Sequence, residues 1–205
     1  MTRRLAAVLF AGLVAGSIAA AQSIPPASPN VERIESGQVR SADGAPQDYR
    51  IRLLPIESFP AVPPAVAAWL RQRGCMIPQS FEAQQPENVI HGAFRDAGGD
   101  DWAALCSVDG QTTLYVFLAG QFHAPTALRS QPDTLWLGHE PGSSIFGSAW
   151  GISTRSAEDL RASTQIRPDF PIDHDAIEDA DLERSLTFRY FQDGIWRILI
   201  SEDFH

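Results

Sequence analysis

The densest run of chemistry-bearing side chains lies between Asp169 and Glu183. Asp169, Asp173, Asp175, Glu178, Asp179, Asp181 and Glu183 crowd this stretch, His174 sits among them, and no arginine intervenes. Like charges packed this closely raise carboxylate pKa values and invite a cation. Asp173-His174-Asp175 supplies hard oxygen ligands suited to calcium, or one imidazole suited to a transition metal. A divalent cation held there would make a metal-assisted periplasmic hydrolase built on His174 and the neighbouring acids. The stretch lacks the alternating acids and glycine of a calcium hand. A solvated acidic loop is therefore the competing reading, and an acidic patch for a basic partner is a third.

Other catalytic constellations are missing from the sequence. His91, His123, His139 and His205 lie too far apart for a local zinc pattern. No Gly-x-Ser-x-Gly elbow is present, and Gly142-Ser143-Ser144 and Gly147-Ser148 read as loops. All 16 basic residues are arginine, which removes Schiff-base chemistry, a Ser–Lys dyad and a phosphate-loop lysine. A formal charge of −9 over 205 residues argues against a basic nucleic-acid surface. With no catalytic residue and no cofactor indicated, the expected function is a non-catalytic binding or interaction module. Its partner would be an envelope or extracellular protein or glycan.

That compartment is read from the first residues. Arg3 and Arg4 precede an uncharged apolar run from Leu5 to Ile18, and Ala19-Ala20-Ala21 supplies the small residues a signal peptidase needs. The run is too short to span a bilayer, which takes roughly 20 apolar residues. Residues 1–21 are thus expected to be a signal peptide, and the protein to be periplasmic or secreted with no membrane span after cleavage. In an oxidising space the only two cysteines, Cys75 and Cys106, are expected to pair. Two cysteines exclude a disulfide-dense scaffold and any four-cysteine metal site.

The elements that would position these groups follow from pattern. Residues 22–47 are rich in Pro, Ser, Ala and Gly and read as a flexible leader, with a single domain over 48–205. Tyr49, Ile51 and Leu53 alternate with Arg50 and Arg52 in a half-buried strand that Pro55 ends. Pro63-Pro64 opens a helix packed through Val66, Trp69 and Leu70, and Gly74 closes it directly before Cys75. Asp109-Gly110 and Asp193-Gly194 each separate β-rich runs and predict two-residue type I′ turns. That turn sets Leu105 opposite Leu114, Ala103 opposite Val116, Cys106 opposite Thr113 and Trp102 opposite Phe117. In the second hairpin it sets Phe188 opposite Leu199 and Phe191 opposite Trp196. Short strands are expected at 123–128, 134–137 and 148–152, and a helical turn capped by Ser156 at 156–160. Trp69 and Trp102 read as core. Trp136, Trp150 and Trp196 read as packing or as the lining of a ligand groove. An isoleucine-bearing segment, at Ile90 and at Ile177, precedes each Asp-Gly hairpin, which hints at an internal duplication.

The stretch Gly92-Ala93-Phe94-Arg95-Asp96-Ala97-Gly98-Gly99-Asp100-Asp101-Trp102-Ala103 resembles an FG-GAP-type repeat. Gly92, Phe94, Gly98 and Asp101 match, while Ala93, Arg95 and Ala97 stand where that family carries calcium ligands. The resemblance implies a blade-like β-element, and the chain is too short for a full propeller. The wider pattern is Gly74-Cys75-Met76-Ile77-Pro78-Gln79, Asn88-Val89-Ile90, Asp101 to Ser107, and His174-Asp175 before the closing hairpin. It is similar to an uncharacterised family of exported bacterial proteins. The expected fold class is α+β, a mainly antiparallel β-sheet built from hairpins with a short N-terminal helix packed on it.

Overall fold

Pairing of neighbouring segments organises the chain from Arg33 onward. The computed structural model describes residues 31–41, 44–163, 165–182 and 184–203. The expected signal peptide lies outside them. Strand β1 (Arg33–Arg40) pairs antiparallel with β2 (Pro46–Leu54). Helix α1 (Pro64–Gln72) follows, and β3 (Ile77–Gln79) returns to the other edge of β2. Next come β4 (Val89–Gly92), β5 (Asp101–Val108), β6 (Gln111–Phe117) and β7 (Thr126–Pro132), a four-stranded antiparallel sheet in chain order. A small ribbon joins β8 (Leu137–Gly138) to β9 (Gly147–Ser148). The last sheet holds β10 (Trp150–Arg155), then, after α2 (Ala157–Ala162), β11 (Ala176–Asp181), β12 (Ser185–Gln192) and β13 (Ile195–Asp203). The architecture is mainly antiparallel β-sheet with few helices. Among the described residues no helix is long and apolar enough to cross a membrane.

The segment expected to be a flexible leader is part of this fold from Arg33. Its residues alternate no apolar face, and six of the eight positions in β1 are exposed. Strand geometry there comes from the ladder with β2, which runs from Arg33 opposite Leu53 to Arg40 opposite Pro46.

Local turn chemistry sets the hairpins. Asp109 and Gly110 adopt φ of 51° and 78°, and Asp193 and Gly194 adopt 52° and 83°, the double positive φ of a type I′ turn. The first hairpin has the expected register, including Cys106 opposite Thr113. In the second, Phe191 faces Trp196, but Phe188 faces Ile200 rather than Leu199, because a bulge intervenes between Phe188 and Arg189. The ladder of β6 and β7 has a similar irregularity between Leu114 and Tyr115. In each case the residue left unpaired is a leucine, Leu199 or Leu128, and it packs against a core cluster. The extra residue lets an apolar side chain pack on the core at the cost of a local bend in the strand. Strands β4 and β11, which carry Ile90 and Ile177, each pair with the first strand of an Asp-Gly hairpin.

Helix α1 starts at a proline, where a missing amide costs nothing. It ends in a Schellman turn: Gly74 at φ 72°, its N–H donating to Arg71 and the Cys75 N–H to Leu70. That turn delivers Cys75 to Cys106 on β5 in a disulfide with a Cα–Cα distance of 5.0 Å. Val66, Leu70, Ala104, both half-cystines and Phe117 form one buried cluster, with Trp69 partly buried against it. Trp69 meets Tyr115 and Phe117 edge-on, at 4.9 and 5.3 Å. Helix α2 is capped as expected, the Ser156 hydroxyl accepting from the Asp159 N–H.

Candidate functional site

Two regions hold the chemistry, and they behave differently. The acidic stretch is not a loop: Ala176–Asp181 is β11, an interior strand between β10 and β12. Asp179 and Asp181 are each 1% exposed. The Asp179 carboxylate accepts from Trp150 Nε1 at 2.7 Å and from Arg189 Nε at 2.7 Å, and Arg189 Nη2 lies 2.6 Å away. Arg129 adds a second cation at 3.7 Å and stacks over Trp136 at 4.0 Å. Glu178 takes two bonds from Arg155. Glu183 lies outside the described residues.

Asp173, His174 and Asp175 do not converge. His174 is buried, stacked on Tyr190 at 4.1 Å. Its Nε2 faces the Phe191 carbonyl at 2.8 Å, and its Nδ1 faces the Asp173 carboxylate at 2.6 Å. The Tyr190 hydroxyl also lies 2.9 Å from Nδ1, so both ring nitrogens are engaged by groups of the fold. Asp175 turns to the other side, accepting from the N–H groups of Ala93 and Ala157. Among the described residues no group of three or more His, Cys, Asp or Glu side chains is arranged to hold a metal ion.

Asp173 carries a pH signature. The hydrogen bond from His174 holds its carboxyl below the usual 3.8. A depressed carboxyl contributes stability above its unfolded pKa and loses it as pH falls toward the folded value. The side chain is 69% exposed, so solvent screens the effect. Asp173→Asn is expected to flatten the decline in melting temperature between about pH 5 and pH 3, with little change at neutrality. Thermal melts across that range check it.

The second region is a groove beside β2. Ile51 and Leu53 enter the core, so Arg50 and Arg52 stand on the opposite face of the strand. Gln79, Ser80 and Phe81 form one wall, and Glu140, Ser143, Ile145, Phe146 and Gly147, in and around the β8–β9 connection, form the other. The groove is open to solvent and has a volume of about 360 Å³. Backbone bonds fix the walls: Arg50 N–H to Phe146 O at 2.7 Å, Phe146 N–H to Asp48 O at 3.0 Å, and Phe81 N–H to Ser148 O at 2.8 Å. A Cβ on Gly147 would fall 2.9 Å from the Phe81 Cβ, so only glycine permits this approach. Gln79 braces the first wall, donating to the Glu87 carbonyl and accepting from the Glu87 N–H.

Charge in the groove is incompletely matched. Among the described residues the Arg50 guanidinium makes no hydrogen bond or ion pair, and Arg52 reaches only Glu32, at 3.7 Å. Ser80 is 7% exposed, and its hydroxyl has no hydrogen-bond partner among the described residues. Reading the sequence alone places Arg50 and Arg52 as the polar face of a strand. Their i, i+2 spacing was the available signal, but the walls come from distant segments.

Asn88, at φ 69°, ties the regions together. Its amide donates to the carbonyls of Pro78 and Trp150 and accepts from the Ile152 N–H. Of the two roles open to Trp136, Trp150 and Trp196, the structure places them in packing: Trp150 is buried and Trp136 meets it edge-on at 5.4 Å, while Trp196 packs against the same cluster. Asp101, the last acid of the FG-GAP-like stretch, is buried and accepts from the N–H groups of Arg95 and Ala119. No protein-family profile, curated protein or solved structure matches the chain.

Proposed function

We propose that the protein is an exported, non-catalytic binding module and that the Arg50–Arg52 groove seats an anionic ligand of the envelope or extracellular space. The observation that carries this reading is a pair of under-neutralised guanidinium groups in a formed groove, on a chain whose net charge is −9. Arginine presents a fixed fork of donors that matches an oxyanion. Export rests on the signal-like N-terminus, and the Cys75–Cys106 disulfide agrees with an oxidising compartment. A metal-assisted hydrolase draws no support from the placement of Asp173, His174 and Asp175, whose polar atoms hold the fold.

A ligand that binds only the folded state raises its melting temperature. The purified chain is expected to be stabilised saturably, at low ionic strength, by at least one of galacturonate oligomers, sulfate, phosphate or a glutamate peptide. An Arg50→Ala/Arg52→Ala variant with an unchanged circular dichroism spectrum is expected to lose that response. No stabilisation by any anion, or an unchanged response in the variant, refutes the reading.

A further inference from the structure

We infer that the groove takes a carboxylated saccharide, a uronate unit, in preference to other anions; this rests on the anion-binding reading above. Arg50 and Arg52 face the same side of β2, so their guanidinium groups can converge on one carboxylate. Glu140 lies across the groove from them. Glu140 in the groove and Glu32 beside Arg52 offset much of the two guanidinium charges, so the site keeps no surplus for a second negative charge and disfavours a dianion relative to a monoanion.

Glu140 and Ser143 also accept hydrogen bonds, so the opposite wall suits a ligand carrying hydroxyl donors beside its charge. Ser80 lines the groove, and its buried hydroxyl has no partner among the described residues, whereas buried hydroxyls are ordinarily bonded. Phe81 and Phe146 supply half-buried apolar faces, against which the C–H face of a sugar ring packs. Phosphate and sulfate have nothing to offer those faces, and a peptide carboxylate brings no ring of hydroxyls.

Isothermal titration of the purified chain with a galacturonate oligomer, its neutral galactose counterpart, inorganic phosphate, sulfate and a glutamate peptide tests this. The galacturonate oligomer is expected to bind at least about tenfold more tightly than each of the others. Arg50→Ala is expected to weaken it about tenfold or more with the melting temperature unchanged, because the Arg50 side chain is exposed and has no partner among the described residues. Glu140→Gln is expected to weaken the uronate while strengthening sulfate. Preference for sulfate, phosphate or the peptide overturns the saccharide assignment and leaves anion binding standing. Equal binding of the neutral oligomer overturns the role of the carboxylate. Absence of binding by every probe overturns both readings.

Discussion

Replacing Cys75 and Cys106 together with alanine is expected to destabilise the fold by about 4 kcal/mol. The crosslink spans a sequence separation of 31 residues. The chain-entropy relation for a loop of that size gives about 3.7 kcal/mol at room temperature, and trimming two buried sulfurs adds a little more. Domains of this class are stable by only about 5–15 kcal/mol in total, so the bond is a large fraction of the margin. At about 2–4 °C per kcal/mol, the melting temperature should fall by about 8–16 °C. Denaturant titration should show a lower midpoint and a steeper slope, because the unlinked chain exposes more surface when unfolded. Reducing the wild-type protein should reproduce both changes. A loss below about 1 kcal/mol would mean that the cluster of Val66, Leu70 and Phe117 already fixes α1 on β5 without the bond.

That disulfide, and the helix and hairpin it joins, were legible because their signals are local. Two prolines and a glycine bracket α1, and Asp-Gly specifies a turn within two residues. Strand β1 was not legible, because Ser36, Gly37 and Gln38 carry no apolar alternation and the pairing partner supplies the order. The bulge opposite Phe188 was hidden for a related reason. Turn chemistry propagates a register outward only until the core asks for a different side chain, here Leu199.

The candidate site was less legible than the fold. Charge density between Asp169 and Glu183 suggests solvent or a cation, since no arginine lies within the stretch and only Arg167 and Arg184 flank it. Arg184 reaches Asp181 locally, but the countercharges of Glu178 and Asp179 come from Arg129, Arg155 and Arg189 on three other strands. In the same way, Arg50 and Arg52 look like an ordinary exposed face until residues 79–81 and 140–147 close around them. Sites assembled across elements leave no spacing to read.

Asp179→Ala is the other substitution expected to have a large effect, about 3–5 kcal/mol of lost stability. The carboxylate is buried at the centre of the last sheet and satisfies Trp150 Nε1 and the Arg189 fork. Removing it leaves a buried indole N–H without an acceptor and a guanidinium, 14% exposed, without its anion. Asp179→Asn keeps one acceptor and should lose less. Replacing the pair, as Asp179→Ala with Arg189→Met, should recover much of the loss, since the stranded charge is then gone. A double variant no more stable than Asp179→Ala would show that packing, not the uncompensated charge, sets the cost. The consequence reaches the groove through the backbone. Trp150 is held by Asp179 on one side and by Asn88 on the other, and the wall residues Phe146 and Gly147 precede it by only a few positions. Loosening Trp150 frees that wall from Arg50 and Phe81, so Asp179→Ala should weaken ligand binding at temperatures where the protein is still folded. Titration well below the melting midpoint separates that effect from unfolding.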